Sequence, residues 1–304
     1  FPFVTPTAIE MLSQIFIMPE HIYKDVTDFE HNDYNMNSVG TGPYKLVDYQ
    51  SGSYLKFEAN ENYYKGEPSI KNVVFQIIEN ADTAILALQN GEVDAYQMTP
   101  QQVKKLDLDA SNLSTYSYSE GRVGYLEINC NRVTDEKVRK ALLYAMDRKA
   151  MDDAAFESSE YYSIPYTFLP TNSQFYTEDG VEKYEQDVDK AKSMLEDAGV
   201  SGLKLKLGYM SSDAVQSAQA LLIQEQLKEV GVTVELAGGD GTAIANAMKD
   251  PDNEYDMYLG GYIMGIDPDT FSSLFENDGA YNYMHYSGYD TIDQLFEEGR
   301  SELD

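Results

Sequence analysis

Cysteine, histidine and tryptophan are scarce or absent in this chain of 304 residues. It has one cysteine, three histidines and no tryptophan. Cys130 alone excludes a disulfide within the chain and disfavours a zinc site with cysteine ligands. His21, His31 and His285 have no ligand-type spacing, and none forms a recognisable pair with Cys130. A cysteine nucleophile needs such a base, so we predict no enzymatic activity. We also predict that the chain holds no metal and no cofactor.

Positive charge and long apolar runs are also lacking. The chain has 22 basic against 52 acidic residues, which gives a formal net charge of −30. A negative field repels phosphate backbones and anionic lipid, so nucleic acid and membrane surfaces are disfavoured as partners. No run approaches the ~20 apolar residues that a membrane helix needs. The chain starts at Phe1 without a signal-peptide pattern, so we expect a piece of a longer or processed protein.

The most informative stretch that is present runs from Arg122 to Met151. Its first part alternates, which predicts a strand with one apolar face and one polar face. The polar face carries Val123, Tyr125, Glu127 and Asn129. Thr134 is expected to cap a single amphipathic helix that continues to Lys149. Such a strand can bury one face and offer the other to a ligand.

Residues before this stretch predict a first α/β region. Turn residues at 40–43 precede two short strands, and a β-branched run at 71–78 predicts a third strand. Asn80 or Asp82 is expected to cap a short helix. A further strand is predicted at 93–97, and it would complete a βαβ unit with the preceding strand and helix.

Residues after the stretch predict a second α/β region. A strand at 203–209, a helix from Ser212 and a strand at 232–236 follow the order of a βαβ unit. Another strand is predicted at 255–259. We therefore expect two α/β lobes. The predicted portions are residues 1–121 for the first lobe and 122–304 for the second.

Five motifs in a fixed order carry a resemblance to a known family. The first portion contains GTGPY at 40–44, FEANENYYKG at 57–66 and ALQNGEVD at 87–94. The second contains the segment 129–148, with VRKAL, and IDPD at 266–269. Together they resemble the family 5 extracytoplasmic solute-binding proteins, the oligopeptide-, dipeptide- and nickel-binding class that serves ABC importers. The resemblance covers nearly the whole chain, but only the central portion of a family member.

The resemblance implies a fold and a function. The fold is the type II, cluster C, periplasmic-binding-protein-like architecture, in which two α/β lobes with mixed sheets and flanking helices close on a ligand by hinge bending. Both lobes would be incomplete or partly complete here. The implied function is to capture a small solute, foremost a peptide, and deliver it to the permease subunits of an ABC importer. The protein would be a monomer without nucleic-acid partners, located in the periplasm or anchored by lipid on the outer face of the membrane.

The resemblance also implies which residues contact the ligand. They are Tyr96, Gln97 and Met98 in the first lobe, Tyr125, Glu127 and Asn129 on the crossing strand, and Tyr262, Met264, Gly265 and Asp267 in the second-lobe loop. Peptide binders of the family place an aspartate shortly before the D-P dipeptide, where it grips the peptide's α-ammonium group. Residues 262–266 contain no acid. An unpaired ammonium in a closed cleft is costly, so either Asp267 or Glu127 takes this role or the ligand has no free amine.

Alternatives remain open for the residues and for the function. Glu127 can equally be a solvated residue at a sheet edge, and Asn129 a turn residue. Metal chelates and short saccharides are the alternative ligands. A ligand sensor or an enzyme on the same scaffold is the alternative class, because a fold does not fix a function. The lack of a nucleophile–base pair disfavours the enzyme.

Overall fold

The computed structural model describes residues 12–13, 15–29, 31–37, 39–106, 108, 112–263 and 267–302. These residues divide into two compact units. The smaller unit is formed by residues 13–98 and 105–113, and the larger unit mainly by residues 114–302 together with 99–104. Each unit has its own sheet. No helix within the described ranges combines the length and the apolar character that a bilayer span requires.

The secondary structure alternates between strands and helices over most of its length. The smaller unit contains α1 (Glu20–Tyr23), a 3₁₀ helix (Asp33–Asn37), β1 (Tyr44–Gln50), β2 (Tyr54–Ala59), β3 (Asn72–Gln76) and α2 (Ala81–Gln89). The larger unit contains α3 (Pro100–Val103), β4 (Arg122–Ile128), α4 (Glu136–Ala145), α5 (Arg148–Phe156), α6 (Val188–Asp197), β5 (Lys204–Met210), α7 (Ala214–Glu229), β6 (Thr233–Gly239), α8 (Gly241–Met248), β7 (Met257–Ile263), a 3₁₀ helix (Pro268–Phe271), α9 (Ser272–Phe275) and α10 (Asp290–Ser301).

The smaller unit is an antiparallel sheet in the order β1-β2-β3, followed by α2. Asn60 joins the start of β1 to the end of β2, since its Nδ2 donates to the carbonyl of Gly42 at 3.0 Å. The side chain of Asn80 caps α2 by accepting from the backbone nitrogen of Thr83, as predicted. The predicted strand at 93–97 is wrong: these residues form a loop. A strand needs a hydrogen-bonded neighbour, and none of the described strands pairs with this segment.

The larger unit contains a mixed sheet in the order β4-β7-β5-β6. β5 runs parallel to β6 and to β7, whereas β4 pairs with β7 in antiparallel register. The segment β5–α7–β6 confirms the predicted βαβ unit. Its helix begins at Ala214 and not at Ser212 as expected, because Asp213 provides the N-terminal cap. The sheet therefore places β4 at one edge, beside β7.

One face of this sheet packs against α4, α6 and α7 and forms the main hydrophobic core. Its fully buried members include Leu142, Leu207, Ile223, Leu227 and Met257. Leu126 and Ile128 of β4 belong to this face, since they pair across the strands with Leu259 and Met257. The prediction that β4 buries one apolar face is therefore confirmed.

The single helix predicted between Thr134 and Lys149 is wrong. The chain forms two helices, because Met146 is extended and Asp147 begins a new helix. The Oδ1 atom of Asp147 accepts from the backbone nitrogen of Ala150 at 3.0 Å, which caps α5. The backbone nitrogen of Asp147 in turn donates to Oε1 of Gln226 on α7 at 3.0 Å. This contact with α7 fixes the position at which α4 ends and α5 begins.

Replacing Asp147 with alanine is expected to lower the free energy of unfolding by about 1 kcal/mol, because α5 loses its N-terminal cap. Denaturant unfolding monitored by circular dichroism measures this change. Asp197, which is exposed in the last turn of α6, provides a matched control. We expect Asp197→Ala not to destabilise the protein, because this carboxylate caps no helix. Equal effects of the two substitutions would contradict the capping role.

Candidate ligand-binding site

The polar face of β4 is the candidate site. β4 pairs with β7 so that Tyr125 lies opposite Gly260 and Glu127 lies opposite Tyr258. Residues directly opposite each other in an antiparallel pair share a face, so these side chains lie on the face turned away from the main core. A Cβ atom at Gly260 would overlap the ring of Tyr125. The glycine therefore allows this ring to lie against β7.

Glu127 is a buried carboxyl group. Its exposed fraction is 4%, and neither Oε1 nor Oε2 has a hydrogen-bond partner among the residues that the structure describes. No described lysine, arginine or histidine forms an ion pair with it. Burial raises the pKa of Glu127 to about 8, because the charged form loses its hydration. At neutral pH the group is therefore mainly protonated when no ligand is bound.

Three tyrosines lie near enough to this carboxyl group to interact with it electrostatically. Burial raises the pKa of Tyr125 and of Tyr258, and the nearby Glu127 charge is the next contribution for both. Burial and the neighbouring Tyr258 raise the pKa of Tyr283, followed by Glu127. The ring centroids of Tyr258 and Tyr283 are 6.0 Å apart at an interplanar angle of 76°. The titratable neighbours of the carboxyl group are therefore tyrosines, whose ordinary charge state at neutral pH is neutral.

The alternation predicts a strand that continues to Cys130, but β4 ends at Ile128. Asn129 therefore follows the strand. Its side chain is fully buried. The Oδ1 atom accepts from the backbone nitrogen of Asn131 at 3.0 Å, and Nδ2 donates to the carbonyl of Tyr255 at 3.3 Å. The fold itself therefore occupies the amide of Asn129, in the manner of a turn residue.

The remaining candidates of the larger unit are Tyr262, near the end of β7, and residues that follow β7 in sequence. The half-buried Tyr262 has its ring centroid 5.4 Å from that of Phe271. Asp267 caps the 3₁₀ helix that follows it, with Oδ1 accepting from the backbone nitrogen of Asp269 at 2.9 Å. Met264 and Gly265 lie outside the described residues. Asp267 is thus already engaged with its own backbone.

The second aspartate of the D-P-D motif has a structural partner. Nε of Arg300 on α10 lies 2.9 Å from Oδ1 of Asp269, and another guanidinium nitrogen lies 2.7 Å from Oε1 of Glu276. These carboxylates raise the pKa of Arg300 against the effect of burial, which alone would lower it. Arg300 therefore connects α10 to the 3₁₀ helix after β7 and to the end of α9. No group of three or more potential metal-ligating side chains is found within the described part of the chain.

The candidates of the first lobe belong to the smaller unit. Tyr96, Gln97 and Met98 lie in the loop between α2 and α3. Tyr96 and Met98 are half-buried, and Gln97 is exposed. Within the larger unit, the structure brings Tyr125 and Glu127 together, whereas Asn129 and Asp267 are used by the backbone around them.

Sequence reasoning missed Tyr258 and Tyr283. Tyr258 had an available signal, because it lies in a strand whose partner β4 was predicted to have a polar face. Tyr283 lies in a loop after α9 and has no periodic pattern to identify it. Only the tertiary structure brings it close to Glu127.

A comparison with known families decides the identity of the chain. Residues 1–283 match the family described as bacterial extracellular solute-binding proteins, family 5 Middle. The chain belongs to this family. The resemblance seen in its motifs is confirmed, and so is the predicted fold class of two-lobed α/β binding proteins with helices flanking mixed sheets.

Individual family 5 proteins are similar over nearly the whole chain. The ABC transporter substrate-binding protein CtaP of Listeria monocytogenes is 37% identical, with a TM-score of 0.91 over 100% of this chain and 62% of its own. The oligopeptide-binding protein AppA of Bacillus subtilis is 28% identical over 95% of this chain and 56% of its own length. A solved structure of AppA in complex with a nonapeptide has a TM-score of 0.77 and covers 95% of this chain. The chain thus spans between half and two thirds of the length of these relatives.

Proposed function

We propose that the protein to which this chain belongs is the extracytoplasmic substrate-binding component of an ABC importer. It captures a small solute, foremost a peptide, and delivers it to the permease subunits in the membrane. The observation that carries this proposal is the family 5 match over residues 1–283. The similarity to AppA, which is named for oligopeptide binding and has been solved with a nonapeptide, favours peptides as the solute class.

The proposed mechanism is closure of two lobes around the solute. We assign the first-lobe portion to residues 1–121 and the second-lobe portion to residues 122–304, with β4 at the start of the second. The smaller and larger units support a division of the chain into two α/β bodies. The solute shifts the protein towards the closed form only if it binds the closed form more tightly than the open form.

The proposed role is binding without chemistry. Within the described residues, the Sγ atom of Cys130 has a hydrogen bond to the carbonyl of Ile128, at 3.7 Å, and none to a histidine. The ring of His285 lies 2.9 Å from the carbonyl of Met248 and does not pair with a nucleophile. We also propose that the full-length protein works as a monomer. We place it in the periplasm, or anchored by lipid on the outer face of the cell membrane, because its family is described as extracellular.

Thermal unfolding of the full-length protein with pooled ligands tests this function. A ligand at 100 times its dissociation constant stabilises the folded protein by roughly 2.7 kcal/mol, which raises the unfolding midpoint. We expect this shift with pooled di- to hexapeptides. Pools of nickel chelates and of oligosaccharides are the matched comparisons. A shift in one of these pools alone would replace the peptide by that solute class, and no shift in any pool would contradict the binding function.

A further inference from the structure

A polar cavity of about 350 Å³ lies in the larger unit, close to the end of β4. Residues between 277 and 287 form most of its lining, together with Asn131 after β4 and Lys249 after α8. Tyr283 is shared with the surroundings of Glu127, whereas the other lining residues lie outside the candidate site on β4. Small-molecule sites typically have volumes of about 300 to 1,000 Å³. The cavity is therefore large enough to hold a second ligand.

Structural hydrogen bonds hold the walls of this cavity in place. The amide of Asn282 donates to the carbonyl of Tyr286 at 2.8 Å and accepts from the backbone nitrogen of the same residue at 3.2 Å. The amide of Asn277 accepts from the backbone nitrogen of Gly288 at 3.0 Å and donates to Oδ2 of Asp293 on α10 at 2.8 Å. Because the fold itself fixes these residues, the cavity is formed before any ligand binds.

The ring of Tyr286 adds an aromatic surface to the lining. It stacks on the ring of Tyr289, with the centroids 4.4 Å apart and an interplanar angle of 10°. The contact between the two rings restricts the orientation of Tyr286. A tyrosine combines an apolar ring face with a polar hydroxyl group. The cavity therefore offers a rigid aromatic wall beside its polar groups.

The groups that the fold leaves free in this cavity are polar. Among the described residues, the side chains of Asn131, Lys249 and Asp278 line the cavity and form no hydrogen bond or ion pair. Lys249 provides donors, Asp278 provides acceptors, and the amide of Asn131 provides both. The two charged side chains contribute one charge of each sign. The cavity thus presents hydrogen-bonding groups of both kinds without an excess charge from this pair.

This combination favours a neutral ligand with several hydroxyl groups. A hydroxyl group both donates and accepts, so it can bind to an ammonium, a carboxylate or an amide. The apolar C–H groups of a sugar ring can pack against a tyrosine ring. An anion would meet Asp278 and the negative end of α8, which Lys249 directly follows. A metal ion is disfavoured, because no group of three or more ligating side chains occurs within the described ranges.

We propose that this cavity is a second binding site of the protein and that its ligand is a sugar in the pyranose form. The site is separate from the site proposed for peptides, and it goes beyond the capture of a transported solute. Hydroxyl groups of the sugar bind to Asn131, Lys249 and Asp278, and its ring packs against Tyr286. The sugar is either a free monosaccharide or the terminal unit of a glycan, which present the same hydroxyl groups.

Saturation-transfer difference NMR of the full-length protein tests the proposal. The probes are glucose, galactose, mannose and N-acetylglucosamine, each as the free sugar and as its methyl glycoside. We expect at least one probe to bind with a dissociation constant on the order of 1 mM, as is typical of ligands with so few atoms. Tighter binding of the methyl glycoside would identify the terminal unit of a glycan as the ligand, and tighter binding of the free form a soluble sugar.

Asn131→Ala should raise this dissociation constant at least about fivefold, because the variant lacks the amide that binds the sugar hydroxyls. It should leave the unfolding midpoint unchanged, since this exposed side chain has no partner among the described residues. Asn246→Ala is the matched control. Asn246 is exposed on α8 and lies outside the lining, so this variant should bind the sugar as the wild type does.

Competition with peptides separates the cavity from the proposed peptide site. A pool of di- to hexapeptides should leave the sugar signal in place. Displacement of the sugar by peptides would overturn the proposal of a second site, and so would a lack of transfer to every probe. Equal dissociation constants for the wild type and Asn131→Ala would overturn the assignment to this cavity. None of these results bears on peptide capture, which thermal unfolding with pooled peptides tests separately.

Discussion

Glu127→Gln is expected to stabilise the protein at pH 8 by on the order of 4 kcal/mol more than at pH 4. The ordinary pKa of this carboxyl group is 4.5, and burial raises the pKa to about 8 in the folded protein. Between these values the unfolded chain has lost the proton, whereas the folded protein still holds it. The wild type therefore loses stability as the pH rises through this range. Glutamine has the same shape and no proton to lose, so the variant escapes this loss.

Denaturant unfolding of wild type and variant at pH values from 4 to 9 measures this effect. The difference in unfolding free energy isolates Glu127, because every other titrating group is common to both proteins. It should increase from pH 4.5 to pH 8 and then remain constant. Glu235→Gln, at the exposed position on β6, should give a difference near zero at every pH. A difference between wild type and Glu127→Gln that does not vary with pH would show that the carboxyl group titrates normally and is not desolvated.

Leu207→Ala is expected to lower the unfolding free energy by about 3 kcal/mol. Leu207 lies in β5, which pairs with both β6 and β7, and its side chain is completely buried. Three helices cover the face of the sheet to which it belongs. Truncation removes buried methyl groups and leaves a cavity that the close-packed surroundings fill only in part.

Leu221 is the matched control for this substitution. It lies on α7, the helix that covers the same core, but 59% of its surface is exposed. The two leucine-to-alanine changes therefore remove the same atoms from different environments. We expect Leu221→Ala to change the unfolding free energy by less than about 0.5 kcal/mol in urea titrations. Similar losses from both variants would show that Leu207 is not at the centre of the core.

Short-range patterns predicted the elements that have a regular spacing of apolar residues along the chain. The alternation of β4 and the order β5–α7–β6 follow from the period of apolar residues, which is a local property. The break at Asp147 escaped prediction because it depends on Gln226, a residue of a distant helix. The absence of a strand at 93–97 escaped for the same reason, since a strand is defined by its neighbour as well as by its own residues.

The candidate site, like the fold, was predictable in part from local sequence patterns. Tyr125 and Glu127 followed from the polar face of β4, and the family resemblance directed attention to them. Tyr283 and the burial of Glu127 did not follow, because a sequence does not show which distant loop covers a strand. The solvated-edge alternative for Glu127 is inconsistent with its 4% exposure. A buried carboxyl group without a hydrogen-bond partner destabilises the fold, and such groups are typical of ligand-binding sites.

Native mass spectrometry of the full-length protein tests the central claim most directly. The protein is incubated with pooled short peptides, exchanged into volatile buffer and weighed intact. Our account predicts one bound peptide per protein and a single protein copy in each complex. A spectrum that shows only unliganded protein would contradict it.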